Sequence, residues 1–461
     1  MTSGLVQLGS GRAAGGSPAP RPRPFGRRLY IETYGCQMNI NDTELVEGLL
    51  AERGFLRVDE VERADVILIN TCAIRDHAER RVMGRIGQLQ RHRRDNPDLV
   101  LGVTGCMAQR LGPRLVSSHD VDLVAGPDAY RGLGDLIEGI QENAIERGQT
   151  LLELDAAEHY EGVESVRAGG VSAWITVQRG CDHRCTFCIV PYVRGPEKNR
   201  DPDAILDEAR RAVDDGFTEV VLLGQTVNSY RHGEWDFPRL LEAVGRVDGI
   251  RRVRFTSPHP NDVSERMLRV MAEEPAVCRQ LHLPVQSGAD RVLRRMVRRY
   301  TAAEFLDKVD EARRIVPDLA LSTDVIVAFP GETEAEFEAT LDLVRGVRFD
   351  DAYLYRFSPR EGTPATRLPE GDSLPESVAS ARLERLIDVQ REIQRDINES
   401  EVGRTCEVLI ERSARSAGDV LGRTERNKMV VFPGDSGLTG AYVRVRLTST
   451  TGATFMGARC D

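Results

Sequence analysis

The sequence predicts an α/β chain in three folded parts: an N-terminal parallel α/β domain, a partial (β/α)6 barrel and a small C-terminal antiparallel β-barrel. Three observations predict it. From residue 28 onward, short apolar runs alternate with stretches of helical period, the pattern of parallel strands joined by helices. That pattern recurs as two series separated by a stretch with no period. After Gly403 the apolar period shortens to two, as in half-buried antiparallel strands.

Taken in order, residues 1–27 are rich in Gly, Pro, Ser and Arg. They lack apolar periodicity and are expected to form a disordered arm. Residues 28–145 make the first domain, with strands predicted at Leu29–Tyr34, Asp65–Asn70, Val100–Thr104 and Val121–Ala125. Residues 150–168 read as a linker of scattered acids. The second domain is placed at 167–397. Its six strands are predicted at Trp174–Gln178, Glu219–Leu223, Val253–Thr256, Gln280–Pro284, Leu321–Phe329 and Ala352–Phe357. Helices are predicted at Pro202–Asp215, Ala302–Ile315 and Glu376–Ser400. The third domain, 400–461, alternates at Cys406, Val408, Ile410 and at Val443, Val445, Leu447.

Composition bounds the function. The chain has 461 residues, 41% apolar and 29% charged, as expected for globular domains with real cores. No apolar run reaches about 18 residues and no signal-peptide core opens the chain. A cytoplasmic protein is therefore expected, without a membrane partner. The net charge of −10 is not that of a general nucleic-acid binder, so RNA binding must come from local basic patches. Residues 398–461 carry nine Lys and Arg against eight Asp and Glu, which makes them the part least hostile to a polyanion. The run Arg291, Arg294, Arg295, Arg298, Arg299 has helical spacing and reads as a solvated face.

The nine cysteines are an odd number in a reducing compartment, which favours thiols or metal ligands over disulfides. Cys181, Cys185 and Cys188 are spaced CxxxCxxC immediately after the first barrel strand. A 4Fe–4S cluster takes four thiolates when its coordination is closed. Three thiolates leave one iron open to a ligand or substrate. A structural zinc site wants a closed set of four, and His183 is the available fourth donor.

Cys36, Cys72 and Cys106 each follow a predicted strand. Side chains at the C-terminal ends of adjacent parallel strands share one crevice. These three cysteines are therefore expected to meet and hold a second cluster with an open iron. The plainer alternative is three separate buried cysteines. Cys278, Cys406 and Cys460 are isolated and read as structural.

With these residues in view, the chain resembles the radical S-adenosylmethionine (SAM) methylthiotransferases from about residue 28 to its end. Phe187, between the last two cysteines of the CxxxCxxC run, matches that family. Within it, the tRNA-adenosine branch is the most similar. The runs that carry this are Leu222–Tyr230, Ser257–Pro260, His282–Gly288, Phe329–Thr333 and Phe357–Arg360. Thr226 departs from the branch, which more often has Asn there, and a changed pocket contact is expected.

The resemblance implies a cofactor set of two 4Fe–4S clusters and SAM. It assigns Cys181, Cys185 and Cys188 to the cluster that cleaves SAM, and Cys36, Cys72 and Cys106 to the cluster that carries the inserted sulfur. Gly224, Gln225, Ser257, His282 and Gln286 are implied to lie near SAM or substrate, together with Phe187. The implied reaction is methylthiolation at C2 of N6-dimethylallyladenosine 37 in the anticodon loop of tRNA. Its implied partners are tRNA and a low-potential electron donor such as flavodoxin or ferredoxin, and a monomer is expected. The C-terminal module resembles a TRAM domain. Two alternatives stand beside this reading. One keeps the chemistry but acts on threonylcarbamoyladenosine or on a ribosomal-protein aspartate. The other is a zinc-stabilised RNA-binding protein without catalysis.

Overall fold

A computed structural model describes residues 26–73, 76–167 and 169–460. The expected arm at 1–27 therefore lies almost wholly outside the described residues. Arg27, at its end, donates to Glu138 at 2.9 Å.

The N-terminal domain is one parallel sheet of six strands: β1 (Arg28–Tyr34), β2 (Leu56–Arg57), β3 (Val66–Thr71), β4 (Val100–Gly105), β5 (Leu123–Ala125) and β6 (Gln149–Leu151). Their spatial order is β2-β1-β3-β4-β5-β6. Strands β3 and β4 are fully buried, as parallel strands covered on both faces must be. Strand β6 comes out of the predicted linker and pairs with β5 in parallel. The first helix, α1 (Gln37–Ala51), is buried over most of its length despite Asn39, Asn41, Asp42, Glu44 and Glu47. It is held between the sheet and the first strand of the next domain.

The barrel strands are β7 (Ser172–Thr176), β8 (Glu219–Leu223), β9 (Arg252–Phe255), β10 (Gln280–His282), β11 (Ala320–Val327) and β12 (Asp351–Arg356). They form two three-stranded parallel sheets, β7-β8-β9 and β10-β11-β12. A parallel bridge between Val253 and Val277 joins the two. The outer faces pack under the helices in one continuous core that includes Ile175, Val220, Leu222, Val253, Leu281, Leu321 and Val325.

The C-terminal module is a closed barrel of β13 (Thr405–Ser413), β14 (Asp419–Thr424), β15 (Met429–Pro433), β16 (Tyr442–Thr450) and β17 (Thr454–Arg459). Four of its ladders are antiparallel and the β15–β17 ladder is parallel. It docks on the N-terminal ends of the large barrel's strands. Arg252 donates to the carbonyls of Arg423 and Glu407, and Arg254 to those of Glu425 and Thr424. Lys428 Nζ pairs with Asp350 at 2.8 Å, just ahead of β12. Among the described residues no helix is long and apolar enough to cross a membrane.

Candidate active site

Strand register brings the N-terminal cysteines together. Tyr34, Thr71 and Gly105 stand level across β1, β3 and β4, so Cys36, Cys72 and Cys106 leave the sheet at one height. Gly105 has φ +91°, and a Cβ there would stand 2.5 Å from Asn70 Oδ1, which is why glycine occupies the turn. Cys36 caps α1, and Cys106 opens the helix Cys106–His119. Both sit where the helix dipole favours a thiolate. Buried amides tie the loops together: Asn39 Nδ2 donates to Asn70 Oδ1 at 3.0 Å and Asn70 Nδ2 to the Asn39 carbonyl at 3.0 Å.

The three thiols sense one another. A hydrogen bond from Cys72, then the charge of Arg194, push the Cys36 thiol down to about 6 against its burial. Burial pushes the Cys106 thiol up, with Arg194 opposing. Arg194 arrives from the other domain, six residues past Cys188. Its Nε lies 3.1 Å from Cys106 Sγ. Cys106 also packs with Ile189 and Val193. The N-terminal trio therefore opens onto the segment that carries the second trio.

That second trio lies in the loop after β7. Cys181 and Cys185 are buried, and Cys188 is half-buried. Cys181 Sγ is 3.1 Å from Thr226 Oγ1, so the residue that departs from the branch pattern touches a cysteine. Arg298 Nη1 lies 3.5 Å from Cys185 Sγ, and its other arms bind Tyr300 and the Pro284 carbonyl. The arginine run read as a solvated face thus includes one fully enclosed cation. Burial pushes the Cys188 thiol up to about 12 and raises that of Cys181.

The other named residues ring the same mouth. Ser257, Gln286 and Ala328 follow β9, β10 and β11, and each has a positive φ (57°, 68° and 58°). Three non-glycine residues in this region at neighbouring strand ends store strain, which is typical of ligand sites. Gln225 Oε1 and Gln286 Oε1 are buried acceptors with no hydrogen-bond partner among the described residues. Gly224 closes β8 with its backbone packed on Val227. Phe187 packs with Phe329, Phe357 and Met296, an apolar wall beside the loop. His282 sits deeper on the inner face, held by Ser322 Oγ at 3.1 Å and by Asp324 at 3.4 Å. Its exposed neighbour is Tyr353, edge-on at 5.8 Å.

The donor set fits iron–sulfur clusters better than zinc. A tetrahedral zinc holds sulfurs roughly 3.8 Å apart, given bonds of about 2.3 Å. Among the described residues, the His, Cys, Asp and Glu donors gathered within 4.8 Å are His183, His259 and Asp262, not either cysteine trio. His183 does not complete a zinc set. Its Nε2 is 3.0 Å from Asp262 Oδ2 and its ring stacks on His259 at 3.8 Å. Sequence reasoning missed this stack, and it missed Asp42, Arg179 and Arg194.

The comparisons agree with this arrangement. The family descriptions that match are the radical SAM superfamily over residues 175–344, the uncharacterized protein family UPF0004 over 28–126 and the TRAM domain over 399–455. Among solved structures, the radical SAM methyltransferase TsrM from Kitasatospora setae aligns with a TM-score of 0.55 at 14% identity, covering 74% of this chain and 77% of that one. That likeness concerns the fold alone. A tRNA-2-methylthio-N(6)-dimethylallyladenosine synthase from Porphyromonas gingivalis is 43% identical over 443 residues, 94% of each chain. One from Carboxydothermus hydrogenoformans is 42% identical over 431 residues, covering 92% of this chain and 97% of that one. The chain belongs to the tRNA-2-methylthio-N(6)-dimethylallyladenosine synthase family of radical SAM enzymes.

Proposed function

We propose that this protein methylthiolates C2 of N6-dimethylallyladenosine at position 37 of tRNA, with Cys181, Cys185 and Cys188 holding one 4Fe–4S cluster and Cys36, Cys72 and Cys106 the other. The observation that carries the reading is Arg194, six residues past Cys188, touching Cys106 across the domain boundary, which supports two three-thiol sets facing one interior. The clusters and SAM supply the radical and the sulfur, chemistry that no side chain provides.

The chain's own residues bind, orient and enclose. The buried acceptors on Gln225 and Gln286 are suited to the amino group of SAM, and the bent backbones at Ser257 and Ala328 aim their polar groups across the mouth. Phe187, Phe329 and Phe357 keep water from the loop. The Tyr353 ring, exposed on the inner face, offers a stacking surface to a base already unpaired in an anticodon loop. His282, tied to Ser322 and Asp324, fits a positioning role toward the substrate better than direct contact with SAM. The TRAM module is the proposed contact for the body of the tRNA. The same reading makes the protein cytoplasmic and monomeric, with a flavodoxin- or ferredoxin-like electron donor.

The test is the full chain reconstituted anaerobically. About eight irons per chain are expected, falling to about four in either triple cysteine-to-alanine variant. Mass spectrometry should then find the 2-methylthio product on dimethylallyl-bearing tRNA, and none on tRNA bearing threonylcarbamoyladenosine. Zinc in place of iron, or product on the second substrate alone, would overturn the proposal.

A further inference from the structure

Across the boundary between the first two domains runs a buried charge group that the reaction itself does not call for. Asp42 is completely buried on α1, from the N-terminal domain. Its two oxygens face Arg179, at 2.9 Å, and Arg194, at 2.5 Å. Both arginines come from the barrel domain and both are nearly fully enclosed. Tyr130 also points its hydroxyl at Asp42, at 3.4 Å. Lys198 and Asp128 pair at 2.6 Å in the same buried group, so three cations meet two carboxylates and leave a surplus positive charge out of water, which is costly unless another anion is at hand. The nearest group able to supply it is the Cys106 sulfur, 3.1 Å from Arg194 Nε. A guanidinium is a rigid fork that can serve two acceptors at once. Here Nη2 donates to Asp42 and Nε to Cys106, the two donors of one edge.

We propose that Arg194, contributed by the barrel domain, is a positioning residue for the cluster of the N-terminal domain: it hydrogen-bonds the ligand sulfur of Cys106 while anchored on Asp42, so that domain docking and the electronics of that cluster are set by one side chain. The inference rests on the reading of Cys106 as a ligand. Arg298, 3.5 Å from Cys185 Sγ, stands in the matching place at the other trio. Each trio thus has its own buried arginine, and of these two Arg194 is the one that reaches across the domain boundary. Hydrogen bonds to ligand sulfurs raise the reduction potential of an iron–sulfur cluster by stabilising its more negative form. Losing the Arg194 bond should make the N-terminal cluster harder to reduce.

The experiment is a potentiometric titration of the reconstituted full chain, with the two clusters followed by electron paramagnetic resonance. Arg194→Lys keeps a cation for Asp42 but has no fork. Its N-terminal cluster should move to more negative potential, or be lost alone with iron falling by half, while the barrel cluster holds its value. Arg298→Lys should shift the barrel cluster and leave the other. Asp42→Asn, nearly isosteric, removes the anion that shares Arg194 and should move the N-terminal cluster alone to more positive potential, and it carries the test if Arg194→Lys does not fold. Unchanged potentials with both clusters present, or equal changes in both clusters, would overturn the inference. Cys106→Ala separates the two layers. If it leaves the iron count whole, the ligand reading fails. If it removes one cluster but Arg194→Lys shifts nothing, only the role of Arg194 falls.

Discussion

Gly180 stands directly before Cys181, and replacing it with alanine tests how tightly the barrel loop is held. Its φ is +73°, and a Cβ there would lie 1.9 Å from the Pro196 carbonyl oxygen and 2.7 Å from that of Gly195. Carbon and carbonyl oxygen approach to about 3.3 Å at closest, so the two segments must part by roughly 1.4 Å. That movement breaks the bond from Cys181 N–H to the Gly195 carbonyl, now 3.2 Å. The left-handed backbone costs alanine about 1–2 kcal/mol, and forced overpacking about 1–3 kcal/mol more. Gly216→Ala is the control, because Gly216 has φ +92° with nothing within 4 Å of the added carbon. It should lose only the backbone share. Both tryptophans of the chain, Trp174 and Trp235, lie in this domain, so their fluorescence in urea reports its unfolding. Gly180→Ala should unfold earlier than Gly216→Ala and retain about half of the iron, and its SAM cleavage should fall about a hundredfold, as expected for an ångström-scale misplacement. Equal unfolding midpoints with full iron in both variants would refute the reasoning.

Other perturbations follow from the same geometry. Burial pushes the Glu332 carboxyl up to about 7, although Ala328 N–H and Arg382 both oppose it. The folded chain therefore holds a proton that the unfolded chain releases near about 4.3, and stability from this group is lost as pH rises through 7; Glu332→Gln should flatten the dependence of the thermal midpoint between pH 5 and 8, and parallel curves for both proteins would exclude it. Tyr353→Ala should raise KM for tRNA by about tenfold or more, since a base–aromatic stack is worth about 1–3 kcal/mol, while Tyr353→Phe should match the parent; equal losses in both would assign the tyrosine to its hydroxyl instead. Arg444, Arg446 and Arg459 are exposed on the paired strands β16 and β17. Changing all three to glutamine should lower the salt dependence of tRNA binding by about two to three phosphate contacts without changing SAM cleavage in the absence of RNA, and an unaltered salt slope would clear them.

The parts legible in the sequence were those with a period or a spacing. Glu219–Leu223 and Ala302–Ile315 begin and end in the structure where their patterns begin and end, because each has one face on the continuous core. The strand-end placement of Cys36, Cys72 and Cys106 was legible because each follows an apolar run directly. Strand β2 was not, since two exposed residues carry no period, and β6 was hidden in an acid-rich stretch. The hardest element was α1. Asn41, Asp42, Glu44 and Glu47 are polar yet buried, and no apolar period in the sequence marks that burial. Asn41 is buried against the barrel's β7, bonded to Thr176 and to the Trp174 carbonyl, and Asp42 faces Arg179 and Arg194, while Glu47 pairs with Arg57 inside its own domain. A docking surface between domains has the polarity of a surface until its partner is present, so no local pattern announces it. Thr226 shows the converse: sequence comparison singled out the position, and only geometry gave it a partner in Cys181.

The placement of the C-terminal module constrains how an RNA meets the site. The module sits on the N-terminal ends of the barrel strands, whereas all six ligand candidates lie at C-terminal ends. Strand β11 alone is eight residues long, about 26 Å at 3.3 Å per residue. An RNA held by the module must therefore run along the side of the barrel to present a base at the mouth. The β7 side is closed by α1, with Met38 on Val221 and Leu223. The inner face of β10–β12 is the side left open, where Tyr353 and Asp351 are exposed. The rim between that face and the module is lined by Asp351 and Tyr353 on the face and by Arg423, Arg426 and Lys428 of the module. On the face itself Asp324 lies 3.4 Å from His282 and Asp351 is exposed, so a neutral base crosses it at less electrostatic cost than a phosphate, for which the module's arginines are the better partner. The cations at the module's edge thus hold the polyanion on the rim, and an unpaired nucleobase is the part of the RNA that can be turned inward past the two acids.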